Sequence, residues 1–66
     1  MVFYEILNQL SGKPMSKENL VDELENNSKE CVSVNLFYLE KIGFIEYNNG
    51  KYTIIPKIKK LLTKTK

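Results

Sequence analysis

The sequence predicts an α+β fold of three helices, a two-stranded antiparallel hairpin and a short closing helix. Three observations predict it. Apolar residues recur at helical spacing as far as residue 43. From residue 44 the pattern alternates with period two on either side of Asn49-Gly50, and Pro56 then opens another helical stretch. The expected elements are helices at about 2–11, 17–26 and 29–42, strands at about 44–48 and 51–55, and a helix at about 57–63. All belong to one domain, 1–66, because 66 residues leave no room for a second. So short a chain buries only about 60% of the surface it exposes when unfolded, so every apolar face is needed for the core.

In the first helix Phe3, Ile6, Leu7 and Leu10 share one face, and Ser11-Gly12 is the expected stop, with Gly12 in a left-handed cap. Lys13-Pro14-Met15 reads as extended, since the residue before Pro avoids the α region. Ser16 is the N-cap of the second helix, with Glu18 in its first turn, where the macrodipole favours an acid. Leu20, Val21 and Leu24 form its apolar stripe, and Asn26-Asn27 is the expected left-handed stop. Ser28 caps the third helix after a turn of only two or three residues.

On that third helix Val32, Leu36 and Leu39 fall on one line with Gly43 and make the core side. Glu30, Val34, Phe37 and Lys41 point the other way, flanked by Ser33 and Tyr38. Asn49-Gly50 predicts a type I′ turn that pairs Asn48 with Lys51, Tyr47 with Tyr52, Glu46 with Thr53 and Ile45 with Ile54. Ile45, Tyr47, Tyr52 and Ile54 then share one face of the hairpin. Pro56 suits the first turn of the closing helix, whose apolar side is Ile58, Leu61 and Leu62 and whose last residues, 63–66, are expected to fray.

Composition removes whole classes of function. The chain has no His, so it builds no imidazole triad, His-metal site or imidazole pH switch. Its single Cys makes neither an internal disulfide nor a zinc site. No stretch approaches the roughly 20 apolar residues of a membrane span, and the N-terminus lacks the layout of a signal peptide. The acids Asp22, Glu23 and Glu25 lie on the wet side of the second helix and do not converge as a catalytic pair. The expectation is a cytoplasmic, non-enzymatic module without cofactor or metal.

All ten basic residues are Lys, and they are unevenly placed. Residues 1–50 hold four Lys against eight acids, whereas residues 51–66 hold six Lys and no acid. A net charge of +2 therefore conceals a basic C-terminal end suited to phosphate or an acidic partner. Lys, Asn, Ile, Tyr and Phe, whose codons are A/T-rich, supply 30 of the 66 residues, which points to an AT-rich prokaryotic or viral genome.

The order of elements, and two segments in particular, resemble the winged helix-turn-helix regulators of the MarR, ArsR and PadR kind. Residues 32–45, ending Leu39-Glu40-Lys41-Ile42-Gly43-Phe44-Ile45, look like the families' recognition helix. Residues 51–62, from Lys51-Tyr52-Thr53-Ile54 to Leu61-Leu62, are similar to the second wing strand and the start of the helix after it. The match covers about 16–62. It implies a sequence-specific, double-stranded-DNA-binding transcriptional regulator, working as a homodimer on two half-sites. It also implies that Gly43 ends the recognition helix because a side chain there would obstruct the entry to the wing.

The chain departs from the families at informative places. It lacks Arg, the commonest bidentate reader of guanine, and carries Val34 and Phe37 where such helices commonly carry basic residues. Ile55 and Ile58 replace the usual Thr and Gly near the end of the wing, and the closing helix is short for a dimerisation helix. On this reading Ser33, Val34, Phe37 and Tyr38 supply specificity, with apolar contacts to thymine methyls favouring AT-rich sites. Lys29, Lys41, Lys51 and Lys57 meet phosphate, as does the wing tip at Asn49.

Each assignment has a plainer counterpart. The polar residues are then a solvated helix face, and Asn49-Gly50 is only a turn. The tail lysines are likewise only a wet surface. Val34 and Phe37 pack on the N-terminal residues or the wing, or with Tyr38, Ile58 and Leu62 they form a dimer or partner surface. A protein-interaction module is therefore the alternative function. Cys31, in the first turn of the third helix, is either a redox-sensitive thiol or a small buried apolar residue.

Overall fold

The computed structural model describes residues 2–64. Its elements run α1 (Val2–Gly12), α2 (Lys17–Glu23), α3 (Lys29–Lys41), β1 (Ile45–Asn48), β2 (Lys51–Ile54) and α4 (Pro56–Lys64). This is a small α+β fold of four helices and one antiparallel hairpin, in an arrangement compatible with a winged helix.

Each apolar stripe meets the others in one core. α1 contributes Ile6, Leu7 and Leu10, α2 contributes Leu20, and α3 contributes Val32, Leu36 and Leu39; Met15, Leu24 and Ile45 close it. Phe3, Val21, Phe44, Ile54, Ile58 and Leu62 pack around its edge. No side-chain polar atom is left buried without a partner among the described residues.

Local chemistry starts α2 and α3 where the sequence places their caps. Ser16 Oγ accepts from the Asn19 amide at 3.1 Å, and Ser28 Oγ accepts from the Cys31 amide at 3.1 Å. The helix ends depart from expectation. α1 runs on through Gly12, which has no left-handed φ, and the Ser11 hydroxyl donates to the Asn8 carbonyl at 2.8 Å. α2 stops at Glu23 rather than near 26, and five residues separate it from α3 instead of two or three. The reason is burial. Leu24 leaves helical geometry (φ −104°, ψ 49°) while staying in the core, and Asn27 donates its amide to Glu5 Oε1 at 3.2 Å instead of taking a left-handed cap.

α3 closes with a Schellman turn. The Gly43 amide donates to the Glu40 carbonyl at 3.1 Å, and the Phe44 amide donates to the Leu39 carbonyl at 2.9 Å. Gly43 has φ 84°, yet a Cβ placed on it would meet nothing within 4 Å. The expected obstruction at the hairpin entry is therefore corrected. What requires Gly is the left-handed backbone, not space.

The hairpin has the expected register: Ile45↔Ile54, Glu46↔Thr53, Tyr47↔Tyr52 and Asn48↔Lys51. Asn49 and Gly50 take φ 53° and 79°, as a type I′ turn demands. Each strand is one residue shorter than expected at its outer end, although the Ile55 amide still donates to the Phe44 carbonyl at 3.0 Å. The extended segment after α1 also pairs. Met15 and Tyr52 exchange backbone bonds of 3.1 and 2.7 Å, which attaches β2 to the helical layer. Because the Tyr52 backbone groups point to Met15, its pair with Tyr47 is a non-hydrogen-bonded one, where side chains approach closely. The two rings lie 4.9 Å apart.

α4 begins at Pro56, with Ile55 as its cap, and continues to Lys64, through part of the segment expected to fray. Residues 65 and 66, including tail Lys66, lie outside the described residues.

Candidate nucleic-acid interface

The surface to test is the outward side of α3 with the adjoining hairpin. Burying Val32, Leu36 and Leu39 fixes the rotation of α3 and turns a defined set of residues outward. Val34 is 66% exposed, Phe37 67% and Tyr38 53%; Lys29, Glu30, Glu40 and Lys41 are exposed as well. Ser33 is only half-buried, at the edge of this surface rather than its centre. Asn35 is a boundary residue whose amide donates to the Cys31 carbonyl at 2.8 Å, within its own helix. Cys31 is a free, half-buried thiol with the same amide 3.8 Å from its sulfur.

The aromatic residues divide. Tyr38 lies 6.0 Å from the ring of Phe3 on α1, and Phe3 in turn lies 6.2 Å from Phe44, so one edge of Tyr38 is anchored to the body. Among the described residues Phe37 has no such ring neighbour in α1; the Lys41 ammonium sits 5.8 Å from its ring centroid, within cation–π range. Packing on the N-terminal residues therefore accounts for part of Tyr38 and leaves Val34 and Phe37 largely uncovered.

Asn49 and Lys51 are exposed at the hairpin tip and Lys57 on the first turn of α4. Ile58 and Leu62, expected at a partner interface, are half-buried and pack against the edge of the core, while Leu61 on α4 is 54% exposed. Lys59 joins Lys13 around a groove between the end of α1, β2 and the start of α4, while α4 packs against α1.

Two residues that the sequence reading did not single out join the surface. Lys17, directly after the Ser16 cap, and Tyr47, on the inner face of the hairpin, line one groove with Gly50 and Tyr52. Their approach depends on a contact between distant segments, and only the position of Lys17 behind an N-cap hints at it. A neighbouring groove runs between the end of α3 and β1, lined by Glu40, Ile45, Glu46 and Tyr47. Burial pushes the Tyr52 phenol above its ordinary range, and the negative charge of Glu40 and the neighbouring Tyr47 push in the same direction.

Along the whole surface Lys17, Lys29, Lys41 and Lys51 alternate with Glu18, Glu30, Glu40 and Glu46, all exposed. The arrangement offers point-charge contacts spaced around an apolar centre, not a uniformly positive field. Among the described residues, no group of three or more His, Cys, Asp and Glu side chains is placed to hold a metal ion, and no helix is long and apolar enough to cross a membrane. No family model, curated protein or solved structure matches the chain.

Proposed function

We propose that the protein is a winged helix-turn-helix module that binds double-stranded DNA and regulates transcription. One observation carries the reading: α3 buries one stripe completely and leaves its opposite side open beside a hairpin whose tip is also exposed. In this reading α3 enters a major groove, with Val34 and Phe37 against thymine methyls and Tyr38 and Ser33 at its margins. Lys17, Lys29 and Lys41 meet phosphates around the groove, and Lys51 with the turn amides meets the next phosphate at the hairpin tip. With no Arg in the chain, the commonest bidentate reader of guanine is missing, and contacts to thymine methyls favour AT-rich sites.

Fluorescence anisotropy with AT-rich duplex tests this. Four lysine–phosphate contacts give a log–log salt slope near −3.6, hence about a hundredfold loss of affinity between 50 and 200 mM salt. Absence of salt-sensitive binding at low ionic strength refutes the reading. A second reading, a protein-interaction module, draws on the exposure of Val34 and Phe37. Phe37→Ala separates the two: a changed oligomeric state with intact DNA binding makes the apolar face an assembly surface.

A further inference from the structure

The outward face of α3 is self-complementary. Glu30, Val34, Phe37 and Lys41 are all exposed, and at roughly 100° per residue they fall within about 60° of one another. Their spacing is symmetric about a point between Asn35 and Leu36: acid, apolar, apolar, base, with the acid as far from Val34 as the base is from Phe37. Set a second α3 antiparallel against the first, about a two-fold axis at that point. Val34 then meets Phe37 of the second copy twice over, and Glu30 meets Lys41 of the second copy at both ends. A closed two-fold interface requires this property, since one patch must complement itself.

We propose that this face of α3 pairs with the same face of a second copy of the chain. The charges lie about 16 Å apart along the helix, one at each rim, and the centre between them is apolar. Lys41 is already held over the Phe37 ring, so its ammonium stands at the edge of the patch rather than in open solvent. Exposed Tyr38 and Ile42 extend the apolar surface along one flank. One helix face per copy falls short of the roughly 800 Å² per partner of a standard interface, so the dimer is weak. The face is the one assigned above to the major groove. Dimer and DNA complex thus exclude each other, and this is not the two-half-site dimer that the sequence resemblance implies.

Analytical ultracentrifugation of the full chain without DNA, up to about 1 mM protein, tests the pairing independently of the DNA reading. Wild type shows a concentration-dependent monomer–dimer equilibrium. Glu30→Lys and Lys41→Glu, each alone, set like charges together at both ends and lower the association constant about tenfold or more. Mixing the two single variants, or combining both changes in one chain, restores opposite charges and recovers the dimer. Phe37→Ser abolishes it. Circular dichroism monitors helix content throughout, and the recovery itself excludes misfolding as the cause of the loss. A monomer at every concentration overturns the proposal, as does a dimer indifferent to these changes or a charge reversal that the mixture does not rescue.

Discussion

Replacing Gly43 by Ala separates two explanations for a glycine at the end of α3. Its φ of 84° lies where a side chain strains the backbone, but the space around a Cβ there is empty. The expected cost is therefore conformational alone. A non-glycine residue in the left-handed region loses about 1–2 kcal/mol, which in a domain of this size lowers Tm by roughly 5–15 °C. Gly43→Asn should cost less than Gly43→Ala, because Asn tolerates this region better although it is larger. Gly12→Ala is the control. Gly12 is helical, without positive φ and with nothing near its Cβ position, so Ala there is neutral or stabilises by up to about 1 kcal/mol. Thermal melts followed by circular dichroism read all three. The reasoning is refuted if Asn is more destabilising than Ala at position 43, since volume would then govern, or if Gly43→Ala melts like wild type.

Two further predictions concern the scaffold. Ser28→Ala and Ser16→Ala each remove a cap acceptor and should cost about 1 kcal/mol, measured by urea unfolding, whereas Ser→Asp at either position should retain most of the stability; equal losses for Ala and Asp would count against the capping role. The Tyr52 phenol should ionise above the usual tyrosine range in an ultraviolet titration, with that step absent in Tyr52→Phe and shifted down in Glu40→Gln. Because its folded value is raised, its contribution to stability is complete below about pH 10 and is lost as pH rises through the folded value; a stability that climbs over that interval, with the step surviving in Tyr52→Phe, contradicts the assignment.

Features that act over a few residues were legible in the sequence. The Ser16 and Ser28 caps, the inward stripe of α3 and the hairpin register all rest on neighbouring residues or on a short period. The end of α2 was not legible. Leu24 leaves the helix yet keeps its place in the core, and Asn27 turns to Glu5, 22 positions away, so the local preference of Asn for a left-handed cap yields to tertiary contacts. Tyr47 shows the same limit from the other side. Alternation puts it on the same hairpin face as buried Ile45, yet it is 55% exposed.

The candidate surface divides along the same line. From the sequence alone came the elements, their order, the face on which Val34, Phe37, Tyr38 and Lys41 lie, and the lack of Arg and His that narrows its chemistry. Only the tertiary structure decided which of those residues are covered. Tyr38 is partly claimed by Phe3, Ile58 and Leu62 pack against the edge of the core, Lys17 and Tyr47 share a groove, and Val34 and Phe37 stay open. The physical reason is range. Helical period and turn chemistry are settled within one or two turns of chain, whereas exposure depends on which distant element arrives beside a side chain once the core has closed.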